Sequence, residues 1–155
     1  MNELTNINNR LSSIDISKLV EYTRKIQDIG AGLNPALAPM YLRDFILAYD
    51  VASTYLASAI RADMQADSLL KQAESIAFLD RAGDYLSEKG VRDSAEARKQ
   101  YVPIDPDVMS AKDMRAKTTA MVSLMKNKVH EYRFAMEAVK KIGYTSEYQS
   151  QYEGM

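Results

Sequence analysis

The sequence predicts an all-α protein, arranged as an elongated antiparallel hairpin of two long helices with additional shorter helices. From Met40 to Glu88 there is no proline, and Gly83 is the first glycine. Apolar or small residues recur about every 3.5 positions along that segment, which is typical of a helix with one packed side. Asp105-Pro106 then fits the start of a second long helix, with an N-cap followed by a first-turn proline.

The composition is that of one soluble globular domain. The chain has 155 residues, of which 46% are hydrophobic and 26% are charged, so it can bury a core. It contains no cysteine, which excludes disulfides and thiolate chemistry. The N-terminal residues lack the apolar stretch of a signal peptide, and no apolar run has the roughly 18 residues of a membrane span. We therefore expect a cytoplasmic protein with no membrane partner.

We expect a single helical domain over residues 15–143, a flexible arm over residues 1–14 and a disordered tail over residues 144–155. The arm is polar and rich in asparagine, and the tail has no hydrophobic periodicity. The last long helix should accordingly end at Ile142, with Gly143 as its C-cap.

Short-range signals place the first helix and the element after it. Asp15 or Ser17 can cap the first helix, and Gly30 should end it. Asn34-Pro35 then supplies a capping residue followed by a proline, which starts the next element. This first helix is expected to complete a three-helix layer with one end of the hairpin.

The two long helices have different seams. Apolar or small residues of the first lie at Leu42, Phe45, Tyr49, Ala52, Leu56, Ala59, Leu70, Ala73 and Ala77. Those of the last lie at Met114, Thr118, Met121, Met125, Val129, Tyr132, Met136 and Val139. The first long helix, over residues 40–88, would run roughly 74 Å, and its alanines supply little apolar area per turn. Because such helices exceed what their partners can cover, we expect a homo-oligomer.

The connection between the long helices contains one short helix. Gly90 fits the position after the end of the first long helix. The segment from Asp93 to Glu96 then fits a capping box, and the short helix should end near Tyr101, before Pro103.

No residue set has the pattern of an enzyme. His130 is the only histidine, and no glycine elbow places a nucleophile near it. Acidic pairs such as Asp63 and Asp67 lack the Glu-x-x-His partner pattern of a di-metal bundle. No glycine-rich phosphate loop is present. We expect no catalytic residues, no metal and no cofactor.

Basic residues instead predict an anionic partner for the second half of the chain. Residues 1–88 carry 8 Lys or Arg against 12 Asp or Glu, whereas residues 89–141 carry 12 against 7. The predicted nucleic-acid-binding residues are Arg98, Lys99, Lys112, Arg115, Lys126, Lys128, Arg133 and Lys140. Tyr101 and Tyr132 could stack single-stranded bases. An ordinary solvated helix surface would show a similar charge pattern.

Parts of the second half resemble the bacteriophage recombination mediators of the UvsY type. The similar segments between Ser68 and Ile142 are YLSEKG at 85–90, IDPDV at 104–108 and AVKKI at 138–142. The resemblance implies an oligomeric, ring-forming helical protein of the host cytoplasm that binds single-stranded DNA. Its partners would be a recombinase, which it helps to load, and a single-strand-binding protein. The family's basic cluster before the tyrosine motif corresponds here to Asp80-Arg81-Ala82, which makes the last helix the better candidate for DNA binding.

Two further functions remain open from the sequence. The chain could be a structural component of a virion or scaffold with no nucleic-acid role, in which charge asymmetry drives contacts between copies. It could also be an adaptor that grips another protein through the methionines of the last helix. These are Met109, Met114, Met121, Met125 and Met136.

Overall fold

The computed structural model describes residues 2–152 of the chain, with side chains described for residues 3–145. Nearly all of these residues are helical and no strand occurs among them, which confirms the predicted all-α class. None of the described helices combines the length and the apolar character that crossing a lipid bilayer requires.

Within residues 2–152, six α-helices alternate with a few short turns. The α-helices are α1 (Asn2–Ser12), α2 (Ser17–Gly30), α3 (Ala38–Ile76), α4 (Ala82–Glu88), α5 (Ala95–Tyr101) and α6 (Pro106–Tyr152). Two 3₁₀ turns span Pro35–Leu37 and Val102–Ile104, and a π-helical turn spans Ala77–Arg81.

The chain divides into two compact units, where the sequence predicted a single domain. The first unit contains the N-terminal residues through Ser13 together with Ser58–Val122. The second contains Ile14–Ala57 and the chain from Ser123 onward. The physical reason is that α3 and α6 are each long enough to contribute to two separate cores.

Alanines form much of the core of the first unit. One cluster consists of Ala73, Ala77, Ala82, Tyr101, Val108 and Ala111, and another consists of Ile7, Ala62, Ala66 and Met114. Small side chains bury little area but allow neighbouring helices to approach closely. Of the alanines in the predicted seam, Ala59, Ala73 and Ala77 lie buried in this unit, and Ala52 lies buried in the second.

An aromatic cluster holds the core of the second unit. The fully buried ring of Tyr132 stacks on Phe45 with centroids 6.5 Å apart and meets the edge of Tyr22 at 6.4 Å. Its hydroxyl donates a hydrogen bond of 2.8 Å to the carbonyl oxygen of Leu19. These contacts join α2, α3 and α6 in one core.

Three of the predicted helix or turn starts have a side-chain cap. The side chain of Asn34 accepts a backbone hydrogen bond of 3.0 Å, and that of Ser94 accepts one of 3.2 Å. Asp105 accepts two, at 3.0 and 3.2 Å. The N-cap residue of α2 is instead Ile16, and Asp15 before it accepts a bond of 3.1 Å from the Ser17 amide. Gly90 ends α4 with a φ of 64°, a conformation that side chains disfavour.

A π-helical turn interrupts the long helix predicted from Met40 to Glu88. The helical segments α3, the turn and α4 follow one another without a break. The buried residues Ala77 and Ala82 lie five positions apart, one more than the usual α-helical spacing. The turn thus absorbs one extra residue and leaves Leu79 exposed.

The N-terminal residues form a helix where the sequence predicted a flexible arm. Leu4, Ile7 and Leu11 recur at helical spacing, and Ile7 is buried against Ala62, Ala66 and Met114, with Leu4 and Leu11 packed around it. Burial of this apolar side outweighs the low helix propensity of the asparagines between them.

The C-terminal helix also extends beyond its predicted end at Ile142. It continues through Gly143 to Tyr152, so residues 144–152 are helical rather than disordered, while residues 153–155 lie outside the described residues. A glycine inside a helix costs only about 1 kcal/mol relative to alanine, which is too little to end it. A Cβ atom at Gly143 would lie 3.8 Å from the side chain of Ala38, so the backbone here passes close to α3.

Candidate nucleic-acid interface

In the second unit, α6 presents a basic row beside its buried seam. Met125, Tyr132 and Val139 are buried at intervals of seven residues, and each is followed by an exposed cation. Because seven residues make nearly two turns, these cations share one side of the helix, about 10.5 Å apart. We call Lys126, Arg133 and Lys140 the basic row.

The cations of the basic row remain available to a ligand. Among the described residues, neither Lys126 nor Lys140 forms an ion pair. Arg133 lies 3.6 Å from Glu137 one turn away, and both side chains are more than half exposed. An exposed pair of this kind contributes less than about 1 kcal/mol, so a phosphate can compete with Glu137 for the guanidinium.

A shallow cleft of about 270 Å³ lies beside the basic row. It is lined by Tyr49 of α3 and by Arg133, Met136, Glu137 and Lys140 of α6. Tyr49 is half-buried at this cleft, between the helices. The cleft brings a phenol and two cations together, which are groups suited to sugar and phosphate contacts.

Arg98, one of the predicted nucleic-acid-binding residues, is engaged inside the first unit instead. Its guanidinium forms two hydrogen bonds with the Asp93 carboxylate, at 2.7 and 2.6 Å. It also donates to the carbonyl oxygens of Phe78 and Leu79, both at 3.1 Å, in the π-helical turn. Gly83 lies beside this pair, and a Cβ there would be 3.4 Å from the guanidinium, at van der Waals contact.

Arg115 is likewise part of an internal network in the first unit. It forms ion pairs with Asp63 and, at 3.4 Å, with Asp67. The carboxylate of Asp63 also accepts hydrogen bonds of 2.9 Å from Thr118 and Thr119. A guanidinium held by two carboxylates has less capacity to neutralise a phosphate, so Arg115 is a weaker candidate than an exposed, unpaired cation.

Lys128 also proves to be structural. Its ammonium contacts Glu131 at 2.6 Å and donates a hydrogen bond of 3.2 Å to the Thr23 hydroxyl. Lys99 and Lys112 of the first unit are exposed and form no ion pair with described residues. The predicted set is thus divided between internal pairs and exposed cations, and only the basic row combines three exposed cations on one helix side.

The two tyrosines expected to stack bases are not accessible. Tyr132 is fully buried, and Tyr101 is buried with its hydroxyl donating a hydrogen bond of 2.9 Å to Asp105. Burial raises the pKa of both phenols, and the hydrogen bond to Asp105 raises that of Tyr101 further. Tyr132 lies on the predicted seam of α6, and Tyr101 packs among the core alanines of the first unit. Large aromatic rings at such places bury more area than the surrounding alanines.

Phe134 is the residue that the sequence analysis missed. It is 66% exposed and follows Arg133 directly, on the outer side of α6. The signal was present in the sequence, because Tyr132 and Ala135 mark the buried seam and the two positions between them, 133 and 134, must face outward.

Groups of three or more side chains able to hold a metal ion do not occur among the described residues. Comparisons with protein-family models, with curated proteins and with solved structures find no match to this chain.

Proposed function

We propose that this protein binds single-stranded DNA as a non-enzymatic recombination mediator, through the basic row of α6. The single observation that carries the proposal is the presence of three exposed cations at seven-residue intervals, two of them without an ion pair among the described residues. Flexible cations repeated along one helix side suit the repeated phosphates of a nucleic-acid backbone.

The local charge of α6 supports an anionic ligand. Residues 123–145 contain five cations and two acidic residues, Glu131 and Glu137. Both acids are already paired, with Lys128 and Arg133 respectively. The five cations outnumber the two acidic residues, so the surface keeps a positive balance that attracts phosphate.

The wider role follows from the resemblance to UvsY-type mediators. In this proposal, copies associate into a homo-oligomer in the host cytoplasm, and α3 and α6 form an elongated antiparallel hairpin. The partners are a recombinase and a single-strand-binding protein, and no cofactor takes part.

The test is equilibrium binding of a fluorescently labelled oligothymidylate, followed by anisotropy. Affinity should fall steeply between about 50 and 200 mM salt, since each phosphate contact releases counterion. The triple variant Lys126→Gln, Arg133→Gln and Lys140→Gln should reduce the slope of log K against log salt by about 2, at about 0.7 per lost contact. Binding by the unaltered protein that is absent at low salt, or indifferent to salt, would sink the proposal.

A second triple variant serves as the matched control. Lys18, Arg24 and Arg43 belong to the same unit and carry the same total charge, and Lys18 and Arg24 are likewise exposed without an ion pair. Their replacement by glutamine changes the net charge equally but leaves the basic row intact. Equal loss of affinity in both triple variants would mean that net charge, and not this row, attracts the ligand.

A structural role in a larger assembly is the second candidate. It is favoured by exposed apolar side chains of α3, where Met40 and Leu47 share one side of the helix and Ile46 lies beside them. Under this alternative, the protein assembles without nucleic acid and charge reversal on α6 disrupts the assembly. Mass photometry with and without single-stranded DNA, at two salt concentrations, separates the two functions.

A further inference from the structure

Phe134 occupies an unusual place on the surface of the second unit. Among the described side chains of α6 it is the most exposed large apolar one, at 66%. An aromatic ring that is this exposed offers a free apolar face to a ligand. The residues around it indicate which kind of ligand that is.

The neighbours of Phe134 on the helix are polar or cationic. Three exposed residues share its side of the helix. Asn127 precedes it by seven residues, His130 precedes it by four, and Lys141 follows it by seven. Arg133 of the basic row directly precedes it.

The acidic residues near Phe134 are held in ion pairs. Glu131 and Glu137 lie three residues to either side of Phe134, and they contact Lys128 at 2.6 Å and Arg133 at 3.6 Å. The ring is bordered by Lys141, which forms no ion pair with described residues, and by hydrogen-bonding side chains, and lysine is among the residues that are depleted at protein interfaces. A second copy of the chain is therefore a poorer match than a ligand that is itself anionic.

We propose that Phe134 is a stacking platform for an unpaired base, and that it makes this surface selective for single strands over duplex. This inference rests on the proposed nucleic-acid binding and adds the residue that determines strand specificity. Phosphates lie along the basic row, and the attached base turns onto the ring of Phe134. Every base has a π-face, so the contact is tolerant of sequence.

Selectivity follows from the accessibility of base faces. In a duplex each base face is covered by its neighbours, so only phosphates and groove edges remain for the protein. The cations of the basic row bind both forms through their phosphates, whereas the ring contributes only when a base is free. Loss of the ring should consequently affect one form and not the other.

The experiment compares Phe134→Ala, Phe134→Leu and Phe134→Trp in the full chain, using a labelled 20-nucleotide single strand and a duplex of the same length. Loss of one base stack corresponds to about a tenfold weaker affinity for the single strand. We expect the full loss of single-strand affinity in Phe134→Ala and most of that loss in Phe134→Leu. Phe134→Trp should retain the affinity for the single strand. The affinity for the duplex should be unchanged in all three variants. Leucine separates stacking from simple apolar contact, because it keeps apolar area but has no ring.

Tyr144 provides the matched control, since it is 63% exposed on the same helix. Tyr144→Ala should bind the single strand as the unaltered protein does, and far-ultraviolet circular dichroism should show the same helicity for all variants. If Phe134→Ala lowers single-strand and duplex affinity equally, the inference is overturned.

The failure of this inference differs from failure of the proposed function. If Phe134→Ala binds the single strand with unchanged affinity and binding through the basic row still depends on salt, only the stacking role of Phe134 is overturned. Absence of binding by the unaltered protein overturns both. A fall in oligomer mass of Phe134→Ala without nucleic acid would assign the ring to contacts between copies and likewise overturn the inference.

Discussion

Arg81 and Asp105 join the π-helical turn to the start of α6. One nitrogen of the Arg81 guanidinium lies 3.1 Å from each oxygen of the fully buried Asp105 carboxylate. The same carboxylate accepts hydrogen bonds from the Tyr101 hydroxyl and from the backbone amides of Asp107 and Val108. Asp105 thus acts as helix cap, ion-pair partner and phenol acceptor at once.

Replacing Asp105 by alanine should lower the free energy of unfolding by about 3 kcal/mol. The change leaves the partly buried Arg81 without its buried partner and removes the cap of α6. Urea denaturation followed by circular dichroism measures the loss. Asp107→Ala is the control, because Asp107 also pairs with Arg81 but is 68% exposed, and it should cost less than about 1 kcal/mol. Equal losses in the two variants would contradict the role of burial.

Removal of the Arg98 guanidinium should destabilise the first unit by about 2 kcal/mol. The carbonyl oxygens of Phe78 and Leu79 lose the donor that satisfies them in the π-helical turn. Denaturation of Arg98→Ala in urea tests this. Lys99→Ala, on the same short helix but without an ion pair, should be nearly neutral, and single-strand affinity should not change in Arg98→Ala.

The network around Asp63 should make the free energy of unfolding depend on pH. Burial alone would raise the pKa of this carboxyl. Hydrogen bonds from Arg115, Thr118 and Thr119 outweigh burial and hold that pKa below its usual value. Because the pKa is lower in the folded chain, the ionised group stabilises the fold above about pH 4, and this contribution disappears as the pH falls through the lower folded value.

Asp63→Asn should accordingly be less stable than the unaltered protein at pH 7, and the difference should narrow below about pH 4. Urea midpoints at neutral and acid pH measure it. A difference that stays constant over this range would mean that the charge of Asp63 has no role.

The buried position of Tyr132 leads to a prediction that separates stability from binding. Tyr132→Phe removes the hydrogen bond to the Leu19 carbonyl and the contact of 3.2 Å with the Thr23 hydroxyl. We expect a loss of about 1 kcal/mol in the free energy of unfolding. Single-strand affinity should be unchanged, and a marked loss in a variant of normal helicity would show that Tyr132 does meet the ligand.

Gly143 and Gly90 should respond to alanine in opposite directions. Gly143→Ala should stabilise the chain by about 0.5 to 1 kcal/mol, because its backbone is helical and the added Cβ meets Ala38 at an ordinary 3.8 Å. Gly90→Ala should destabilise it, because φ is 64° there. Thermal denaturation of both variants gives the signs, and stabilisation by Gly90→Ala would contradict the αL cap.

Local signals predicted the helix starts best. In each of these caps a side-chain oxygen accepts a hydrogen bond from a backbone amide two or three residues later, so both partners lie within one short stretch of sequence. The capping residues are Asn34, Ser94 and Asp105. The helix start at Asp105 is the clearest case. The ion pair between Asp105 and Arg81, by contrast, joins residues 24 positions apart and could not be predicted from a local pattern.

Errors arose where distant contacts decide the outcome. The polarity of the N-terminal residues predicts a flexible arm. The segment is helical instead, because Ile7 packs on alanines of α3. Arg98, Arg115 and Lys128 belong to the predicted basic set by residue type alone. Whether a cation is exposed or paired depends on carboxylates elsewhere in the fold, such as Asp63 for Arg115.

The π-helical turn has a consequence for how this chain tolerates changes of length. Its spacing of five between Ala77 and Ala82 is what a one-residue insertion into an ordinary helix would produce. Deleting either of the exposed neighbours Leu79 and Asp80 would restore a spacing of four while keeping the same alanines on the buried side. The segment therefore acts as a register adjuster, at which one residue can be lost without rotating the helix on either side out of its core.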